Sequence, residues 1–248
     1  LIEEIQSSNA IEGVRSTRKE IKTAIDEQDS TDSHHRPRLW STVNKYLKLQ
    51  QQEEISFRCS HDLRKFYDEF LADEIKRDDP ANLPDGKIFR KEPVDVWSKS
   101  KVIHRGIIPE EKIILSMETA LKTLQNEQIP GLIRISIFHY FFGYIHPFYD
   151  GNGRTSRFIT SYYLAKILHS LVAIRLSITI KKSLRVYYKL FEDTNHPGNY
   201  GDLTPFITGF LWLIQKSTTR VNEILQERRK KLDALAQALE IHYFGTAK

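Results

Sequence analysis

Cysteine is almost absent from this chain: Cys59 stands alone among 248 residues. A single thiol excludes an internal disulfide framework and argues against a structural zinc site built on cysteines. Its plain reading is a small buried or half-buried side chain. Nowhere do eighteen apolar residues follow one another, so no membrane-spanning helix is expected. No basic-then-apolar start with a small-residue cleavage site marks a secretion signal, and the chain opens at Leu1 rather than methionine, as a fragment or a processed form does. Internal repeats and low-complexity tracts are missing too. Charge is only mildly unbalanced, at +5, which suits an acidic ligand such as a nucleotide and equally an ordinary solvated surface. What is present is 40% hydrophobic and 11% aromatic residues, enough for one well-filled domain, alone or with a helical extension.

Helical periodicity dominates. Ile2, Ile5 and Ile11 mark a short apolar-faced helix that should stop near Gly13, a natural C-terminal cap. Thr17-Arg-Lys-Glu20 fits a capping box opening a helix to about Asp26. The polar stretch Asp29 to Pro37 reads as a loop, and helices are expected over Leu39–Gln50 and Leu63–Ile75. Asp78 to Lys87, with two prolines and Asp85-Gly86, reads as loop or turn. Ile88-Phe89-Arg90, Val94 to Trp97 and Lys101-Val102-Ile103, broken at Ser98-Lys99-Ser100, read as a hairpin, the only convincing β signal. Helices should follow from Pro109 to Leu124, from Leu132 to Ile145, and again where Phe158, Tyr162, Ala165 and Leu168 share a face. Further helices are expected at Ser183–Glu192, Thr204–Lys216 and Thr218 to about Leu239. The fold class is therefore mainly α with one small β-hairpin.

The chemistry concentrates in His146-Pro147-Phe148-Tyr149-Asp150-Gly151-Asn152-Gly153-Arg154-Thr155-Ser156-Arg157. Pro147 should end the preceding helix. The glycines let backbone N–H groups approach a ligand, and such a nest opening onto a helix N-terminus favours an anion. Arginines in a first turn oppose the helix dipole, so Arg154 and Arg157 are better explained by an anion that their planar forks would grip. Asp150 supplies one hard oxygen suited to Mg²⁺ shared with phosphates. His146 can take a proton near neutral pH. Together these describe a nucleotide phosphate site with attack on phosphorus. A calcium EF-hand loop is rejected, because Arg154, Thr155 and Ser161 stand where its fifth, sixth and twelfth residues are required. A P-loop is rejected because no Lys-Ser or Lys-Thr follows the glycines.

The same segment resembles the Fic motif, His-Pro-Phe-x-Asp/Glu-Gly-Asn-Gly-Arg-x-x-Arg, at every specified position. The resemblance implies a Fic-type helical bundle whose hairpin is a flap. It implies that His146 deprotonates a target hydroxyl, that Asp150 holds Mg²⁺ on the α- and β-phosphates of ATP, and that Gly151, Asn152 and Gly153 line the phosphates. Arg154 and Arg157 would bind the β/γ end, and Phe148 would point inward as an anchor. An exposed flap edge could take a target protein's backbone by strand addition. Tyr187, Tyr188 and Asn195 resemble the adenine-pocket segment, although His196 to Tyr200 looks like an insertion and the two tyrosines are equally readable as core aromatics. Ser8-Asn9-Ala10-Ile11-Glu12-Gly13 is similar to the Fic inhibitory motif. Glu12 would then pair with Arg157 and occupy the arginine needed for the γ-phosphate, which suits a carboxylate at a helix end where it is otherwise disfavoured.

The resulting expectation is a protein adenylyltransferase moving AMP from ATP to a Ser, Thr or Tyr hydroxyl, restrained by Ser8 and Glu12. A Fic-fold phosphotransferase, a de-AMPylase and a non-catalytic nucleotide-binding regulatory module stand as alternatives. The expected organisation is an N-terminal helical region over 1–80 with the inhibitory helix at about 1–13. A Fic core follows over 81–216, with its flap at about 88–105 and catalytic loop at 146–157, and then a helical extension over 217–248. Partners are a hydroxyl-bearing target protein and, as an open option, a second copy of the chain. Neither membrane nor nucleic acid is expected, the basic run Gln226 to Lys231 reading as one face of an amphipathic helix. ATP dependence, the missing secretion signal and the single cysteine suggest the cytoplasm.

Overall fold

The computed structural model describes residues 1–28, 36–98 and 101–244. The chain is mainly helical with one hairpin, as its sequence suggests. Its helices are α1 (Ile2–Ile11), α2 (Arg18–Asp26), α3 (Trp40–Gln50), α4 (Ser60–Tyr67), α5 (Asp73–Asp78), α6 (Glu110–Gln125), α7 (Gly131–Ile145), α8 (Asn152–Ile167), α9 (Ser170–Ala173), α10 (Leu176–Lys182), α11 (Leu184–Asn195) and α12 (Thr204–Phe244). A π-helical turn at Asp68–Ala72 joins α4 to α5, and strands β1 (Asp95–Ser98) and β2 (Lys101–Arg105) pair antiparallel with a bulge between Val96 and Trp97. Most of the polar loop expected from Asp29 to Pro37, and Lys99-Ser100 in the hairpin turn, lie outside the described residues. Among the described residues no helix is long and apolar enough to cross a membrane.

Helices α7 and α8 run through the middle, and their apolar residues are buried on several sides. Phe138 and Phe142 of α7 and Phe158 and Ile159 of α8 are fully buried, as are Phe206 and Phe210 of α12. Phe158 meets Phe66, Phe70 and Tyr46 with ring centroids 5.0 Å apart, spacing at which tilted and edge-on aromatic pairs attract.

Local signals were read well where a side chain answers its own backbone. Thr17 and Glu20 form the expected box, with the Glu20 N–H donating to Thr17 Oγ1 at 3.1 Å and the Thr17 N–H to Glu20 Oε2 at 2.7 Å. Helix α1 ends as expected at Gly13, which takes φ +76°. Two of these expectations need correction, and two helices go unexpected. Ile88-Phe89-Arg90 is not part of the hairpin: the N–H groups of Lys87, Ile88 and Phe89 donate to the Glu110 carboxylate at 2.8–3.1 Å instead of to a strand. Thr204–Lys216 and Thr218–Leu239 are one helix, because the Ser217 and Thr218 hydroxyls bond to carbonyls of Val172 and Ile214 and leave the ladder intact. Helices α9 and α10 had no reading at all; α10 is buried along most of its length and shows no polar face.

Helix α10 matters because it docks α1. The carboxylate of Glu4, fully buried on α1, accepts the N–H groups of Ser177 at 2.9 and 3.1 Å and of Ile178 at 3.3 Å, at the start of α10. First-turn N–H groups lack intrahelical partners, so this carboxylate serves as a cap supplied from another helix. Burial nevertheless raises the Glu4 pKa above its ordinary value, opposed by those hydrogen bonds. Replacing Glu4 with Ala should destabilise the fold by about 2 kcal/mol, the scale of a lost charged hydrogen bond with donors left behind. Urea unfolding followed by circular dichroism would measure it, and an unchanged midpoint would contradict this anchoring.

Candidate active site

The residues between α7 and α8 build a turn that is braced from three sides. Helix α7 stops at Ile145 because Pro147 follows, and His146 turns into the left-handed region at φ 53°. Phe148 is fully buried and stacks on Tyr67 with centroids 3.7 Å apart. The Asn152 side chain clips that residue from both ends, accepting its N–H at 3.0 Å and donating to its carbonyl at 2.7 Å. Gly151 sits at φ +78°, and a Cβ there would meet Leu71 Cδ1 at 2.7 Å, so neither conformation nor space admits a side chain. Tyr67 donates its hydroxyl to the Asp150 carbonyl at 3.1 Å.

Helix α8 then starts at Asn152 and carries two arginines with different fates. Arg157 is only 1% exposed, and every one of its donor nitrogens faces α1. Its Nη1 donates to Glu12 Oε1 at 2.7 Å, its Nε to Ser8 Oγ at 3.2 Å and its Nη2 to the Ser8 carbonyl at 2.8 Å. Burial opposes the guanidinium charge, but Glu12 outweighs it and the Arg157 pKa is raised. Arg154 instead turns to the buried Glu74 and to Asp150 Oδ2, the latter at 3.3 Å. The anion expected for Arg154 is therefore met by the protein's own carboxylates.

Beside Arg157 opens a small cavity of about 120 Å³, below the ordinary range of small-molecule sites. His146, Asn152, Gly153 and Arg157 line one end, together with Glu12, while Tyr188, Asn195 and the unforeseen Tyr144 and Phe191 line the other. Gly153 leaves room for Glu12: a Cβ on it would lie 2.0 Å from Glu12 Oε1. Of the residues expected around phosphates, Gly151, Arg154 and Asp150 do not line this pocket. Asp150 stays 41% exposed, with Oδ1 accepting the Gly151 N–H and Oδ2 facing Arg154. Among the described residues no group of three His, Cys, Asp or Glu could hold a metal by itself. A lone hard oxygen fits Mg²⁺ held mainly by ligand phosphates.

The aromatic end is fixed from behind. Tyr187 bonds His139 Nε2 through its hydroxyl at 2.8 Å, and His139 Nδ1 meets Thr160 Oγ1 at 2.8 Å. Tyr140 donates to Asn195 Oδ1 at 2.7 Å, and Asn195 lines the pocket. Asn195 closes α11, and the residues read as an insertion form a 3₁₀ turn over Pro197–Asn199. His104, at the foot of the hairpin, also lines the pocket and bonds the Tyr144 carbonyl through Nε2 at 2.6 Å. Only its place in the hairpin could have pointed to it. Burial lowers the pKa of His146 to about 4, so the imidazole is neutral at pH 7.

Residues 58–164 match the model of the Fic/DOC family. Solved structures agree on the fold. A Fic family protein from Desulfovibrio desulfuricans G20 superposes with a TM-score of 0.68 at 22% identity, over 90% of this chain and 64% of that one. A fragment of Fic-1 from C. elegans gives 0.56 at 17% identity over 92% and 64%, and a Fic domain containing signaling protein from Bacteroides thetaiotaomicron gives 0.54 at 16% over 88% and 84%. The chain thus spans less than two thirds of the length of the first two.

The two buried histidines make stability depend on acid. His139 is lowered by burial to about 3 and His146 to about 4, against 6.5 for an ordinary imidazole. The unfolded chain therefore takes up these protons first, and stability should fall as pH drops below 6.5. Each histidine should contribute a slope of up to about 1.4 kcal/mol per pH unit until its folded-state pKa is reached. Denaturant melts between pH 7 and 5 should show this loss, and His139→Gln should flatten it by one histidine's share. An unaltered slope in that variant would contradict the assignment.

Proposed function

We propose that the protein is an adenylyltransferase that moves AMP from ATP to a Ser, Thr or Tyr hydroxyl of a target protein, and that Glu12 restrains it. The observation that carries this reading is the placement of a neutral, buried His146 and the N-terminus of α8 on one pocket whose far end is aromatic. A target hydroxyl at His146 loses its proton to the imidazole as its oxygen attacks the α-phosphorus. The new bond is O–Pα, the broken one Pα–O toward the β-phosphate, and pyrophosphate leaves. The first N–H groups of α8 and the Arg157 guanidinium would stabilise the charge gathering on the phosphate chain. Asp150 would hold Mg²⁺, whose chemistry is to neutralise the leaving pyrophosphate. Tyr188, Phe191 and Asn195 would receive the base.

The restraint follows from the same contacts. Arg157 cannot serve a γ-phosphate while all three of its nitrogens are bonded to Ser8 and Glu12. Glu12 also stands over Gly153, in the space the terminal phosphate would take. Withdrawing the carboxylate frees both the cation and the room.

Incubation with α-labelled ATP and Mg²⁺ tests the reading. Glu12→Gly should raise label transfer on the order of 10- to 100-fold, the equivalent of about 1.4–3 kcal/mol, and Glu12→Gly combined with His146→Ala should return it to background. Label from γ-labelled ATP instead would indicate phosphotransfer, and equal transfer by wild type and Glu12→Gly would remove the brake.

A further inference from the structure

Arg90 is fully buried and, among the described residues, has no carboxylate within ion-pair distance. Burial accordingly lowers its pKa below the ordinary arginine value. A desolvated, unpaired cation is expensive, and packing alone would be served better by an apolar side chain of similar volume. What Arg90 obtains in return is a set of backbone carbonyls from three separate places. Nε donates to the His146 carbonyl at 2.8 Å, Nη1 to that of Glu92 at 2.6 Å, and Nη2 to those of Ile107 at 3.0 Å and Ile145 at 3.4 Å.

These acceptors share a meaning. Ile145 and His146 are the end of α7, where carbonyls have lost their helical partners and a cation is favoured. Glu92 and Ile107 flank the β1–β2 hairpin on its two sides, so they are its two feet. The rigid planar fork of one guanidinium can hold three directions at once, which a lysine's single nitrogen cannot. Gly106 confirms how closely the parts meet: a Cβ there would lie 2.3 Å from Arg90 Nη2 and 3.2 Å from the His146 Cβ. Two backbone bonds complete the joint, Gly106 N–H to the Val94 carbonyl at 2.9 Å and Ile107 N–H to the Ile145 carbonyl at 3.2 Å.

We propose that Arg90 is a positioning residue that locks the backbone of His146 and both feet of the hairpin into one unit, so that the proton acceptor and the strand edge meant for the target move together. The proposal rests on the reading of His146 as the base and the hairpin as the target's dock. Arg90 touches no substrate; it acts through the carbonyls it holds.

Arg90→Met and Arg90→Lys, each made in the Glu12→Gly protein, provide the test. Label transfer should fall about 10- to 100-fold in kcat in both variants, with KM for ATP changed less than about threefold, since a positioning loss acts on the transition state. Amide hydrogen exchange, which needs no catalysis, should rise at Gly106, Ile107 and His146 while the amides of α6 and α12 keep their protection. If Arg90→Met does not fold, Gly106→Ala, whose methyl would displace Nη2 while the charge stays, should give the same selective exchange. Unchanged exchange at those three amides in a folded variant overturns the proposal, as does exchange raised evenly across α6 and α12. Should the Glu12→Gly protein transfer no AMP at all, the proposed activity fails, and the exchange pattern still decides whether Arg90 holds the joint.

Discussion

A guanidinium carried almost completely out of water must be given acceptors where it lies. In this protein that requirement falls on Arg157, at the heart of α8, and α1 supplies everything it needs. The position of α1 follows: it has to lie across the start of α8, close enough for the Ser8 carbonyl and the Glu12 carboxylate to reach in. The buried Glu4 then fixes the other half of α1 to α10. One buried cation and one buried carboxylate thus set α1 against α8 and α10, which lie about 150 residues or more further along the chain.

The same economy governs the turn before α8. The left-handed His146, the buried Phe148 and the clipping Asn152 are mutually dependent, since each removes a freedom the next would otherwise exploit. A turn held this firmly fixes the direction of its backbone donors in advance. Arg154 belongs to this bracing, tying the turn to Glu74 on α5. The two arginines, alike in the sequence pattern, differ in their partners: Arg154 is held by Glu74 and Asp150, and Arg157 by Ser8 and Glu12.

Much of this was legible because its causes are local. Pro147 announces the end of α7, Gly13 the end of α1 and Thr17 with Glu20 the start of α2, each through an interaction spanning a few residues. The turn at 146–157 could be read as a tight glycine turn between two helices for the same reason. What escaped was decided at a distance. Ile88-Phe89-Arg90 has strand-forming composition, yet the N–H groups of Ile88 and Phe89 are taken by Glu110, some twenty residues away, and its arginine reaches the Ile145 and His146 carbonyls more than fifty residues away. Ser217 resembled a break only because Val172, which accepts its hydroxyl, is invisible in the local pattern. Helix α10 looked featureless because burial on most sides erases the polar face that gives a helix its period. His104 joined the pocket through the Tyr144 carbonyl, a contact that no spacing encodes.

The undivided α12 has a geometric consequence. From Leu225 to Leu239 every side chain is exposed, so this part of the helix stands clear of the body as a rod of about 22 Å, at 1.5 Å per residue. A straight rod transmits rotation as well as distance. Each residue turns the next by roughly 100°, so inserting or deleting one would swing Leu232 and Leu235 to another side of the axis while hardly changing their reach. Ser217 and Thr218, by keeping the ladder whole where it leaves the core, therefore set the azimuth of the turns beyond them, and the helical body and the far turns of the helix share a single fixed bearing.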